Sequence, residues 1–362
     1  MKTIEGYRHE VASHCESGSV RNLLQFAGLT TSEPMVFGLG SGALFYYLFF
    51  VKGINRWPLM GIRNKPGAIA RNVRKLCGVD LEMKQYPSAR EGMAAADRLI
   101  DSGTPVAAVV DMFYMKYLPS FLRHHAPLHF IVLVGQDERS YTVSDPYFEG
   151  IATLDRVDFE AAWETHAPLA QDNLLVHVRS VPASVDWRRA ALRAIRRTCN
   201  DMVLPPLVRR LFFFVGVEGM RKFAREMRRW PDRYQGIALR EGMMFYALAF
   251  EDQGTGGAAF RLMYGAFLKE VAELFQSAEL HELSRRIIVH GREWRAASRR
   301  IIVLARQIPI PEEEYADWYV ANGAAFREEL GELSRTWLAF ADTEQTFYQD
   351  LRRAAARLES AT

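Results

Sequence analysis

Cysteine is scarce in this chain, with three in 362 residues at positions 15, 77 and 199 and no C-x-x-C spacing among them. An odd, scattered set argues against a disulfide framework and against a thiolate metal site. Free thiols fit a reducing compartment, so the expected location is the cytoplasm. An excess of one charge is also missing: 46 Lys and Arg stand against 43 Asp and Glu, a net +3, too little to imply nucleic acid as a partner. Long apolar runs are absent. The two longest, 43–51 and 211–217, fall short of the roughly 18 residues a membrane span needs. The opening Met1-Lys2-Thr3-Ile4-Glu5-Gly6 lacks the apolar region of a secretory signal. His124-His125, His166, His177, His281 and His290 show no metal-ligand spacing such as H-E-x-x-H, so no metal and no tightly bound cofactor are expected.

What is present is an ordinary globular composition, 49% apolar and 25% charged, long enough for two domains. Residues 1–182 read as mixed α and β. Strand signals lie at 105–110, 130–134, 141–144 and 173–178, each rich in β-branched or aromatic residues and bounded by turn formers. Residues 183–362 read as all helical, opening at the N-cap candidate Asp186 and broken by prolines near 205, 231 and 309. From Trp187 to Arg240 this half is rich in arginine, a pattern that is most often a solvated helix face.

Chemistry is concentrated at the other end. Cys15 heads a predicted helix in His14-Cys15-Glu16-Ser17-Gly18-Ser19-Val20, where the dipole and the first backbone N–H groups favour a thiolate. A thiolate nucleophile needs a base and a group to orient that base. His129 to Pro146 reads as a β-hairpin with its polar turn near Asp137, and a register symmetric about that residue places His129 directly opposite Asp145. A one-residue slip would send Asp145 to the other face. Cys15, His129 and Asp145 thus form a candidate nucleophile, base and orienting carboxylate in that chain order.

The stretches His14-Cys15-Glu16-Ser17-Gly18, Asn22-Leu23-Leu24 and Ser32-Glu33-Pro34-Met35-Val36-Phe37-Gly38-Leu39-Gly40-Ser41-Gly42 resemble the N-terminal domain of the butirosin-biosynthesis acyltransferase family. The helical half resembles the domain that follows it there, most clearly in Gly254-Thr255-Gly256-Gly257-Ala258-Ala259-Phe260-Arg261-Leu262-Met263-Tyr264. The resemblance implies an α+β fold: a papain-like N-terminal domain, similar to bacteriocin-leader peptidases, followed by an all-α C-terminal domain. It implies transfer of an acyl or aminoacyl group from an acyl carrier protein thioester to an amine. The phosphopantetheine arm would carry the acyl group and a small molecule would be the acceptor. Those peptidases place an oxyanion-binding glutamine six residues before the cysteine, where this chain has His9, and the resemblance implies that an imidazole N–H there donates the same hydrogen bond.

Glu33, Gly38 and Gly40 are candidates for substrate contact, as are Thr255 and Gly256, whose turn precedes a predicted helix over 260–275. Tight packing and helix capping would explain the same residues. The arginine-rich stretch 187–240 is a possible docking face for an acidic carrier protein. Two rival readings stand beside acyl transfer: a cysteine peptidase or amidase, and a non-catalytic binding protein on the same fold.

Overall fold

The structure is a computed structural model that describes residues 3–53, 56–166, 170–252, 254–310 and 312–360, apart from the side chains of residues 206, 209 and 210. In chain order the elements are α1 (Cys15–Phe26), α2 (Glu33–Leu39), β1 (Ala43–Lys52), β2 (Pro58–Arg63), α3 (Ala68–Cys77), β3 (Asp80–Gln85), α4 (Ala89–Asp101) and β4 (Val106–Val110). There follow β5 (His129–Gln136), β6 (Ser140–Ser144), β7 (Ile151–Asp155), α5 (Arg156–Trp163) and β8 (Leu174–Ser180). The remainder is helical: α6 (Trp187–Met202), α7 (Pro206–Leu211), α8 (Gly216–Met227), α9 (Trp230–Arg233), α10 (Gly236–Glu251), α11 (Arg261–Phe275), α12 (Ala278–Arg306) and α13 (Tyr315–Ser360). The chain folds as two compact units, Met1–Gly40 with Lys65–Ala190, and Ser41–Asn64 with Ala191–Thr362.

The first unit is built on an antiparallel sheet in the order β3-β8-β4-β5-β6-β7. Phe130 to Val134 are fully buried, because β5 is covered on both faces. Ile131 and Leu133 join a cluster with Met93, Ala96 and Ile100 of α4 and Phe159 of α5, and α1 also packs against the strand. Helix starts follow local chemistry. Ser32 caps α2 by accepting from the Met35 N–H, with Pro34 in its first turn, and Ser88 caps α4 through the Glu91 N–H. The expected strands 105–110, 130–134, 141–144 and 173–178 are present as β4, β5, β6 and β8.

One feature of the organisation was not expected. The run 43–51, too short for a membrane span, is β1 of a hairpin, and residues 41–64 group with the second unit and not with the rest of 1–182. The reason is aromatic surface. Phe45 and Tyr47 of β1 meet Phe223 of α8 edge-on, Trp57 stacks on Tyr234 at 4.1 Å, and the Trp57 indole donates to the Ala238 carbonyl at 3.1 Å. Gly242 of α10 lets that indole approach, since a Cβ there would lie 1.8 Å from the ring.

The second unit is otherwise helical, as its periodicity predicts. Asp186 accepts from the Arg189 N–H at 3.0 Å and so caps α6. A buried charge cluster joins three helices. Arg261 of α11 grips Glu344 of α13 through Nε at 3.0 Å and Nη2 at 2.9 Å, lies 3.8 Å over the ring of Trp294, and shares Glu344 with His290 of α12. Burial raises the Glu344 pKa, but Arg261 and His290 outweigh it and hold the carboxyl down at about 2. Just before Arg261 the backbone is left-handed at three non-glycine residues in a row, Ala258, Ala259 and Phe260. The Arg261 guanidinium, which donates to the Ala259 carbonyl at 2.7 Å, ties down that strained turn.

Candidate active site

Cys15 is the first residue of α1, and its preceding residue His14 caps the helix by accepting from the Ser17 N–H. The thiol is partly exposed, whereas Cys77 and Cys199 are buried and burial pushes each of their thiols up to about 12. A thiolate nucleophile must be reachable and ionisable, so Cys15 is the cysteine suited to the role.

The turn carrying Cys15 is held by two carboxylates. Glu33, at the start of α2, accepts from the Ser13 N–H at 2.9 Å, the His14 N–H at 2.8 Å and the Ser17 hydroxyl at 3.0 Å. Glu16 points the other way and accepts from the Ile69 N–H at 2.9 Å, at the first turn of α3. Glu33 is therefore corrected from a substrate contact to a brace of the nucleophile's turn, its two oxygens already engaged by three donors. Glu16 had no sequence signal beyond lying next to Cys15.

His129 opens β5, and its Nε2 lies 2.8 Å from Oδ2 of Asp145. Cys15 hydrogen-bonds to the same ring, which leaves Nδ1 as the nitrogen that faces sulfur. Burial alone would lower the His129 pKa, yet the charge and hydrogen bond of Asp145, together with Cys15, raise it to about 10. Asp145 is held below the usual carboxylate range: burial opposes this, and His129, the Tyr147 N–H and the Tyr117 hydroxyl overcome it. The tyrosine contact, Tyr117 Oη to Asp145 Oδ2 at 2.8 Å, fixes the carboxylate from a loop the sequence did not flag.

His129 and Asp145 meet, though not in the expected register. The observed pairs are Gln136 with Tyr141 and Gly135 with Thr142, then, past a bulge, Leu133 with Val143 and Val132 with Ser144. Asp145 thus lies diagonally across from His129 and reaches it by side-chain length. Had the turn-proximal register continued, Asp145 would pair with Val132 and point away from His129. The extra residue Val134 restores the parity. Its carbonyl accepts from the Ile4 N–H at 2.7 Å, so the chain's beginning secures the bulge.

The remaining candidates have structural duties. His9 Nδ1 is 2.7 Å from the Ser144 hydroxyl and its Nε2 is 2.9 Å from the Phe148 carbonyl, while Tyr7 donates to the same serine at 2.9 Å. Both ring nitrogens are engaged, so the oxyanion role expected of His9 is not supported: its N–H is given to Phe148. Gly38 is buried inside α2, and a Cβ on Gly40 would come within 2.6 Å of Ile69, so Gly40 serves close packing. Thr255 belongs to the second unit, where its hydroxyl donates to the Phe250 carbonyl at 3.0 Å and accepts from the Gly257 N–H at 3.0 Å; Gly256 lies exposed in the same turn. The Ala258 N–H goes to Glu251, so this turn closes a helix end with its own donors instead of presenting them.

Of the arginine-rich stretch, Arg196, Arg197, Arg221, Arg229 and Arg233 are paired with Glu359, Asp201, Glu218 and Asp342, and Glu226 within the chain. Arg240 donates to backbone carbonyls, and the side chains of Arg209 and Arg210 lie outside the described residues. Among the described residues no three His, Cys, Asp or Glu side chains gather as a metal ion would require, and no helix is long and apolar enough to cross a membrane.

No curated protein matches the chain. Among solved structures it is similar to a protein described as a C39-like peptidase from Bacillus anthracis, at 15% identity and a TM-score of 0.36, over 50% of this chain and 100% of that one. Residues 14–146 match the family model described as butirosin biosynthesis protein H, N-terminal, and residues 158–351 match a domain of unknown function (DUF4872). The chain belongs to the family that joins these two domains.

Proposed function

We propose that the protein is a cysteine-dependent acyltransferase of antibiotic biosynthesis, which moves an acyl or aminoacyl group from an acyl carrier protein thioester to an amine. The observation that carries this reading is the convergence of Cys15, His129 and Asp145, with the imidazole raised to about 10 so that it stays charged beside sulfur. A thiolate–imidazolium pair of this kind needs no separate base to attack a thioester. Cys15 sulfur bonds to the acyl carbon, the C–S bond to the phosphopantetheine arm breaks, and the departing thiolate takes the proton from His129. In the second half an amine displaces Cys15 and His129 recovers a proton. Asp145, held by Tyr117, keeps the ring oriented throughout.

The oxyanion falls to the backbone N–H groups that open α1, where the helix dipole favours negative charge. Family membership favours a thioester over a peptide bond as the substrate, since the first family model is named for butirosin biosynthesis. The expected partners are an acidic carrier protein and a small amine acceptor, with the cytoplasm as the compartment. The exposed arginines 193, 225 and 228 would be the available part of a docking face.

The test is a covalent adduct. Incubation with an acyl-pantetheine thioester should add one acyl mass to Cys15, and His129→Ala should slow that acylation by about a hundredfold or more. Labelling at Cys77 or Cys199, or an acylation rate indifferent to His129→Ala, would sink the reading.

A further inference from the structure

The two longest apolar runs of the sequence, 43–51 and 211–217, meet in the second unit. Tyr47 of β1 donates its N–H to the Phe214 carbonyl at 2.8 Å, and Tyr46 forms a β-bridge with Val215, so the segment after α7 lies along β1. Phe45 and Tyr47 turn into the core there, but the strand then runs out into solvent, with Phe49, Phe50 and Val51 all exposed.

The exposed rings are continuous with one another. Phe49 lies 5.7 Å from Phe213 between ring centroids, Phe50 lies 5.4 Å from Phe214, and Phe214 is 5.9 Å from Phe212. Leu207 and Leu211, one turn apart on α7, are 80% and 73% exposed, and the Phe212 N–H extends that helix to the Val208 carbonyl at 2.9 Å. Together the exposed side chains of 49–51, 207 and 211–213 present roughly 750 Å², where the largest apolar patch of a typical monomer is about 300–600 Å².

The local charge has one sign. Residues 41–64 and 202–217 contain no aspartate or glutamate and hold Lys52, Arg56, Arg63, Arg209 and Arg210. Lys52 and Arg56 are exposed at the turn end of the hairpin. Lys222 of α8, paired with Glu226 at 3.1 Å, lies 4.4 Å over the Phe49 ring. A protein partner would need a pocket shaped for each projecting side chain, and a second copy of this chain would bring like charges together. A lipid layer needs no matching shape: Phe and Leu enter the acyl boundary while Lys and Arg meet anionic headgroups.

We propose that the end of β1 and the segment 207–213 form a docking surface for an anionic lipid membrane, on which the protein lies without spanning it. This surface does not depend on the acyl-transfer reading.

The experiment floats the full chain with vesicles of phosphatidylcholine alone, or of phosphatidylcholine with an equal part of phosphatidylglycerol. The wild type should bind the anionic vesicles about tenfold better or more, and salt at about 0.5 M should weaken that binding several-fold. Phe50→Ser with Leu211→Ser, and separately Lys52→Glu with Arg56→Glu, should each lower binding about tenfold or more. An unchanged midpoint of urea unfolding reports that each variant is folded, and the lipid and salt dependence of the wild type needs no variant. Absence of wild-type binding, equal binding to both vesicles, or binding that neither pair of substitutions weakens would overturn the surface. A dimer that Phe50→Ser with Leu211→Ser dissociates, or an acidic carrier protein held by the same residues, in either case without vesicle binding, would assign the patch to a protein and overturn it as well.

Discussion

At the scale of single residues, burial and partners separate similar side chains into different roles. Three thiols differ because Cys77 and Cys199 are pushed up to about 12 by burial while Cys15 sits partly exposed against His129. The histidines divide the same way: His129 faces a carboxylate and a thiol, whereas His9 is tied to a serine and a carbonyl. His129 also links stability to pH. Its folded pKa, about 10, lies above the ordinary value of 6.5, so the pair with Asp145 stabilises fully below 6.5 and is lost as pH rises through 10. Urea unfolding should therefore show the largest deficit for His129→Gln near pH 6, shrinking steadily toward pH 10. A deficit independent of pH would mean that the ring contributes by packing alone. Which residues could do chemistry was legible from type and position. Glu33 was misread because a carboxylate near a nucleophile signals substrate contact and loop bracing equally well, and only its three donors decide.

At the scale of elements, the hairpin β5–β6 shows how a one-residue irregularity sets a site. The β-branched and aromatic residues of 130–134 and 141–144 made both strands readable, and the polar run 137–140 marked the turn. The register was not readable, because a bulge leaves no mark in a run where every residue is buried. Deleting Val134 should leave an unbroken ladder in which Leu133–Val143 and Val132–Ser144 stay paired, so Asp145 stays diagonally across from His129. Acylation of Cys15 should then stay within a few-fold of the wild-type rate, with the circular dichroism of the sheet retained. A fall to the level of Asp145→Ala would show that the bulge itself aims the carboxylate. The strands β1, β3 and β7 went unread for other reasons: β1 is a continuous apolar run without the alternation that marks a strand, β3 and β7 are short and largely polar, and the partner of β3 lies about a hundred residues on.

At the scale of the whole molecule, each unit has its own cohesion. The second unit gathers its helices around Arg261, Glu344 and His290, all buried, with Trp294 beneath the guanidinium. Removing one member leaves a charge without a counterpart in an apolar interior, so Glu344→Gln should cost about 3–5 kcal/mol in urea unfolding of the full chain. A loss under about 1 kcal/mol would mean that water reaches the cluster. The sequence by itself determined the half-and-half texture, the helical second unit, the strands rich in β-branched and aromatic residues and the choice of Cys15, because periodicity and residue chemistry are local properties. Tertiary structure alone decided that residues 41–64 fold with the helices, that a bulge brings Asp145 to His129, and that His9 and Glu33 hold the frame. Each of those outcomes depends on which distant atoms meet a given donor, acceptor or ring, and such partners have no trace in the order of residues nearby.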